Sequence, residues 1–195
     1  MRELRRVTSN VAVLDRADVD TDQIIPKQFL KRIERSGYGE FLFYDWMKDP
    51  DFELHRPEYQ GAAILVAGRN FACGSSREHA AWALEDYGFR IVLAPSFGDI
   101  FHANAIKTGM APVEVSAEVL SQLKAALAEQ NELTVDLETR TISHPTGLTV
   151  PFTLDAYTQE TLVRGLDDIA RTLQREDKIA EFEATRMPVV TAAVA

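Results

Sequence analysis

Between Ala62 and Gln130 the chain alternates strand-like and helix-like segments, and this alternation constrains the fold more than any other feature of its 195 residues. Ala62–Ala67 (AAILVA) is an unbroken apolar run of strand length, and Arg90–Ala94 (RIVLA) is another, closed by Pro95. Uninterrupted apolar runs are what strands buried on both faces require. A glycine-rich loop, Gly68 to Gly74, follows the first run. Ser76 to Tyr87 then reads as a helix stopped by Gly88. Ser96 to Thr108 reads as a second helix ended by Gly109, Ala111–Val115 as a shorter strand, and Ala117 to Gln130 as a third helix. Strands separated by single helices predict βαβ units and a parallel sheet.

The flanks obey other rules. Leu133–Leu137 and Arg140–Ser143 alternate with period two around Glu138-Thr139, the pattern of a β-hairpin, and Leu148 to Leu154 continues as strand through Pro151. Val11–Leu14 is a short apolar run followed by the charged stretch Asp15 to Asp22. Phe29 to Met47 reads as loop with a short helix. From Thr158, Leu162, Leu166, Ile169 and Leu173 recur at helical spacing, giving one apolar stripe that packs on the domain or on a partner chain. Arg186 to Ala195 lacks periodicity and reads as a loose tail. The expected fold is α/β with mixed parallel and antiparallel strands, a domain over residues 1–156, and a C-terminal helical extension over 157–195.

Charge and cysteine content narrow the function. The net charge is −9, from 21 Lys and Arg against 30 Asp and Glu. Such a surface repels a phosphate backbone, so nucleic-acid binding in general is disfavoured. A small anion is still acceptable where a few cations gather in one cleft. A single cysteine, Cys73, excludes an internal disulfide and any four-cysteine zinc or iron–sulfur site within the chain. No apolar run reaches the length of a membrane-spanning helix, and MRELRRVTSN lacks the apolar stretch of a secretory signal. The expectation is a cytoplasmic protein.

The chemistry concentrates in Gly68-Arg69-Asn70-Phe71-Ala72-Cys73-Gly74-Ser75-Ser76-Arg77-Glu78-His79-Ala80. This stretch joins a buried strand to a helix, where open α/β sheets place their ligands. Ser75 and Glu78 have the spacing of a capping box. A helix start also presents unpaired N–H groups and the positive end of a dipole. Gly74 lets the backbone approach a ligand, and Arg77 offers a planar fork suited to a carboxylate. Two hydroxyls, free N–H groups and an arginine within three residues make a carboxylate site. The loop is neither GxGxxG nor a Walker A sequence. Cys73 with His79 or His102 as base is an alternative, against the simpler role of a small buried residue. His55 and His144 read as surface or turn residues.

A second stretch, Asp18-Val19-Asp20-Thr21-Asp22-Gln23-Ile24-Ile25-Pro26, begins like an EF-hand loop. It has Gln23 and Phe29 where glycine and glutamate are needed, so calcium is rejected. An Asp here either lies in a solvated turn or orients a hydroxyl beside the anion site.

Together the two stretches resemble the small subunits of 3-isopropylmalate dehydratase, in the aconitase superfamily. The resemblance is carried by Asp20–Pro26, by Gly68–Ala80 around Gly74-Ser75-Ser76-Arg77-Glu78-His79, by Phe97–Phe101 with Asn104, and by Gly165–Ile169, and it spans about Val11 to Phe182. Ala72 departs from the pattern, since many relatives carry glycine there. The resemblance implies a swivelling β/β/α domain that closes over a larger partner subunit. That partner carries a [4Fe-4S] cluster through three cysteines, so this chain ligates no metal or cofactor. The implied reaction exchanges (2S)-2-isopropylmalate and (2R,3S)-3-isopropylmalate through the alkene. By the same resemblance Ser75 is the base, Asp22 lies near the hydroxyl with Thr21 supporting it, and Ser76 and Arg77 bind a substrate carboxylate. Leu30, beside Phe29 and Lys31, offers apolar surface to the isopropyl group. Homoaconitase and citraconate-hydrating relatives share these motifs. A stand-alone anion-binding module and a cysteine-dependent hydrolase are the readings from other classes.

Overall fold

The computed structural model describes residues 1–32, 34–75 and 77–186. Its strands are β1 (Arg6–Ser9), β2 (Val11–Leu14), β3 (Ile64–Ala67), β4 (Ile91–Ala94), β5 (Ala111–Glu114), β6 (Leu133–Asp136), β7 (Thr141–Ser143) and β8 (Thr149–Pro151). Its helices are α1 (Thr21–Ile24), α2 (Glu78–Tyr87), α3 (Asp99–Thr108), α4 (Ala117–Glu129), α5 (Ala156–Arg164), α6 (Asp168–Leu173) and α7 (Glu176–Thr185).

Four strands form a parallel sheet in the order β2-β3-β4-β5, and the other four form an antiparallel sheet in the order β1-β6-β7-β8. The parallel strands are buried on both faces, and their side chains divide with period two. Ala12, Leu14, Leu65, Ala67, Val92 and Ala94 face a core shared with α2, α3 and the segment after β2. Val11, Ile64, Val66, Ile91, Leu93 and Val113 face a second core shared with the antiparallel sheet, α4 and α5. The layers therefore run helices, parallel sheet, antiparallel sheet, as a β/β/α arrangement requires. In α4, Ser116 caps the N-terminus by accepting from the Val119 N–H, and Leu120, Leu123 and Leu127 give the buried face.

Three features differ from the sequence reading. Strand β1 has no sequence signal, because its four residues alternate only between exposed and half-buried and carry no apolar run. It adds an edge to the hairpin by pairing with β6. The Phe29–Met47 region contains three short 3₁₀ turns, at Lys27–Lys31, Gly39–Phe41 and Trp46–Lys48, rather than one helix. His144 opens a turn, its carbonyl accepting from the Gly147 N–H at 2.9 Å, but it is buried, at 4% exposure, rather than on the surface. Its ring nitrogens meet Thr146 Oγ1 at 2.7 Å and the Gln130 carbonyl at 2.8 Å, tying the hairpin to the end of α4.

The C-terminal stripe is also corrected. Gly165 adopts a left-handed conformation (φ 63°) and ends α5, so the four residues do not share one helix. Leu162 is fully buried in the second core, whereas Ile169 and Leu173 are 74% and 57% exposed. Neither α6 nor α7 contains a buried residue. Residues 187–195 of the expected tail lie outside the described residues.

Candidate functional site

The loop after β3 is held from both sides by backbone hydrogen bonds. On one side the Cys73 N–H donates to the Val19 carbonyl (3.1 Å), and the Thr21 N–H donates to the Cys73 carbonyl (3.0 Å). On the other, the Phe71 N–H donates to Ser96 O (3.0 Å) and the Gly98 N–H to Phe71 O (2.9 Å). Asp18 adds a side-chain link, accepting from Arg69 Nη2 and Asn70 Nδ2 at 2.9 Å each. A Cβ on Gly98 would lie 2.5 Å from the Ala72 carbonyl oxygen, so only glycine permits this approach. The two stretches singled out in the sequence are thus one structure.

Stapling forces the loop into left-handed turns. Asn70 and Ala72 have φ of 56° and 57°, and Gly74 has φ of 94°. Glycine accepts this conformation freely, whereas a Cβ there costs about 1–2 kcal/mol. Ala72→Gly is expected to relieve that strain, offset in part by the greater freedom of glycine in the unfolded chain. Thermal unfolding should show a midpoint raised by about 1–4 °C. A lowered midpoint would mean that packing of the buried Ala72 methyl outweighs the strain.

Ser75 sits exposed at the end of this loop. It does not cap α2. The helix starts at Glu78, its N-cap is Arg77 in an extended conformation, and no side chain of that residue caps it. The Ser75–Glu78 capping box is therefore absent. A capping box exists instead on α1: Asp20 Oδ1 accepts from the Gln23 N–H, and Gln23 Oε1 accepts from the Asp20 N–H, both at 2.8 Å. Both stretches satisfy the sequence rule, but Asp20 immediately precedes its helix, whereas Ser75 lies two residues before the N-cap of α2. Ser76 lies outside the described residues.

Helix α1 meets the loop at two points. Thr21, 3% exposed, donates its hydroxyl to the Ser75 carbonyl at 3.0 Å. On the next residue, Asp22 receives Arg77: Nη2 donates to Oδ2 at 2.7 Å, and Nη1 pairs with Oδ1. Nη1 also reaches the Ile25 carbonyl at 3.4 Å. The hydrogen bond and charge of Arg77 hold the Asp22 carboxyl below the usual carboxylate range, with Lys27 helping, and Asp22 in turn raises the Arg77 guanidinium. Both are ionised at neutral pH. Beside Ser75 is an open depression of about 320 Å³, walled by Cys73, Gly74 and Ser75 and, opposite, by Phe97–Phe101 at the start of α3.

The cysteine reading gains no support. Burial, followed by the charges of Asp20 and Asp18, pushes the Cys73 thiol up, away from the thiolate a nucleophile needs. His79 packs edge-on against Tyr38 (5.1 Å) and, tilted, against Trp82 (4.6 Å). Among the described residues no group of three His, Cys, Asp or Glu is placed to hold a metal ion. At the expected specificity segment, Phe29 stacks on Phe41 at 4.1 Å and is drawn into the chain's own aromatic cluster. Leu30 is half-buried against the first core, and Lys31 is exposed.

Comparison with known proteins adds three observations. Family models match over residues 1–118 (Aconitase C-terminal domain), 123–156 (LeuD_N) and 168–189 (the C-terminal domain of the 3-isopropylmalate dehydratase small subunit). The 3-isopropylmalate dehydratase small subunit of Bacillus subtilis is 52% identical over 193 residues, covering 95% of this chain and 97% of that protein. That of Acidobacterium capsulatum is 55% identical over 185 residues, covering 94% and 90%. A crystal structure of 3-isopropylmalate dehydratase from Methanocaldococcus jannaschii superimposes with a TM-score of 0.67 at 25% identity, covering 91% of this chain and 99% of that one.

Proposed function

The chain belongs to the 3-isopropylmalate dehydratase small-subunit family, and on that premise we propose that it carries the proton-handling and carboxylate-binding half of a two-subunit active site. It is one subunit of a heteromeric hydro-lyase of leucine biosynthesis. The observation that carries the site assignment is the exposed Ser75, held from behind by Thr21 and flanked by the paired Arg77.

The half-buried Cys73 stands alone, so the donor set of this chain does not fit an iron–sulfur cluster. We place a [4Fe-4S] cluster on the large subunit, where it would supply Lewis acidity toward the departing hydroxyl. The residues of this chain do the rest. Ser75 takes the carbon-bound proton as the alkene forms and returns one on rehydration at the neighbouring carbon. A serine hydroxyl is too weak a base unless its alkoxide is stabilised. The start of α2, uncapped by Arg77, supplies N–H groups and a positive dipole end near it. Arg77 binds a substrate carboxylate through its fork, and Ser76 adds a hydrogen bond. Thr21 is buried, so it supports the Ser75 backbone rather than meeting the substrate. Asp22 keeps a charged carboxylate at the mouth of the site.

The substrate reading is isopropylmalate, with Leu30 lending apolar surface to the isopropyl group. Leu30→Arg is expected to lower kcat/KM for (2S)-2-isopropylmalate by roughly tenfold, from about 1.5 kcal/mol of lost apolar contact. Turnover of a substrate with an added carboxylate should improve. Equal loss for both substrates would make Leu30 a packing residue only. The exposed Ile169, Leu173 and Phe182 of α6 and α7 offer apolar surface to the large subunit. A cytoplasmic location completes the proposal.

The test is reconstitution. The purified chain should show no turnover alone and full turnover with a large subunit. Turnover by the chain alone would overturn the assignment of a divided active site.

A further inference from the structure

We propose that Asp22 is the resting counterion of Arg77, so that substrate enters by exchanging its carboxylate for that of Asp22. The side chain of Arg77 is only 11% exposed, whereas that of Asp22 is 54% exposed. With most of its side chain covered, the guanidinium has few routes to water, so a carboxylate partner on Nη1 and Nη2 is favoured over none. The carboxylate that pairs it is Asp22, and it takes the same two-point contact on Nη1 and Nη2 that an incoming carboxylate would use. The substrate therefore cannot engage this edge of Arg77 while Asp22 remains on it.

The exposure difference makes exchange feasible. Asp22 lies on a helix of four residues and is more than half in water, so it leaves without exposing a buried surface of its own. Two N–H···O contacts to one carboxylate are replaced by two to another, and Arg77 stays compensated throughout. The arrangement also screens ligands. An anion must out-compete an intramolecular carboxylate, which favours a substrate held by a second carboxylate elsewhere in the closed site. Once displaced, Asp22 is a free carboxylate at the mouth of the site, no longer held below its usual range by Arg77.

The proposal rests on Arg77 being the substrate clamp, and the experiment separates the two claims. The probe is 2-isopropylsuccinate, which has both carboxylates and the isopropyl group but no hydroxyl to lose. Its competitive inhibition constant, measured on the assembled two-subunit enzyme, reports binding without chemistry. Asp22→Asn should tighten inhibition by about three- to tenfold, because the competing charge is gone while the side-chain shape remains. Asp22→Glu, which keeps the anion, should return the constant toward the wild-type value. An unchanged or weakened constant in Asp22→Asn overturns the exchange, as does an equal shift in both variants, which would indicate packing. Arg77→Lys is the check on the underlying reading. If it leaves the constant unchanged, Arg77 is not the clamp and both claims fall. If it weakens inhibition while Asp22→Asn does not tighten it, the exchange alone is wrong.

Discussion

Ser75→Ala should abolish turnover in the assembled enzyme while leaving substrate binding and fold nearly intact. A positioned general base contributes about 10²- to 10⁴-fold, so kcat for (2S)-2-isopropylmalate should fall at least that far. Binding should hold, because the proposed carboxylate contact is made by Arg77 and not by Ser75. Stability should hold for a reason the structure supplies. Ser75 is exposed, it does not cap α2, and the group that Thr21 grips is its backbone carbonyl, which alanine retains. An exposed substitution of this kind stays within about 0.5 kcal/mol. Had the residue capped the helix, the loss would have been about 0.5–2 kcal/mol. Three measurements decide the matter: kcat, the inhibition constant of an unreactive dicarboxylate, and the unfolding midpoint. Near-wild-type turnover would remove Ser75 from proton transfer. A lowered midpoint with lowered turnover would make its role structural.

What the sequence made legible follows from the range of the interactions involved. Strands β3, β4 and β5 announce themselves because both faces are buried and their residues are almost uniformly apolar. The hairpin β6–β7 shows its period because one face is buried and the other is not. Strand β1 has neither signature, since an edge strand with half-buried residues is fixed by its partner β6, more than 120 residues away. The C-terminal stripe misleads for a related reason. Periodicity reports which residues share a helical face but is blind to a left-handed glycine that ends the helix, as Gly165 does. At the site, the sequence supplies the residue types, yet capping and pairing are tertiary decisions. Asp20 forms a capping box because α1 begins at the next residue, whereas α2 begins at Glu78 with Arg77 as its N-cap, which leaves Ser75 two residues short of the cap position. The Arg77–Asp22 pair joins residues 55 apart, and no local pattern encodes it.

Arg77→Lys conserves charge and should still be severely damaging. The guanidinium makes a planar two-point contact with a carboxylate, and an ammonium makes one contact from a shorter, rounder head. Losing one charge-assisted hydrogen bond costs about 1.5–3 kcal/mol, or roughly 10- to 150-fold in kcat/KM. The loss should appear as a raised KM because the substrate carboxylate is held in the ground state, and as a lowered kcat because a substrate held at one point pivots away from Ser75. The resting enzyme suffers too. Lysine in a side-chain environment only 11% exposed would meet Asp22 through one contact and leave the Ile25 carbonyl unserved. That effect is separable, because it changes the unfolding midpoint of the isolated chain, whereas the loss of substrate contact needs the assembled enzyme and substrate. A raised KM with a midpoint shifted by only a few degrees assigns Arg77 to the substrate. A large drop in midpoint with KM unchanged would confine it to the loop, where its only task would be to hold Asp22. Unchanged values of both would remove Arg77 from the site.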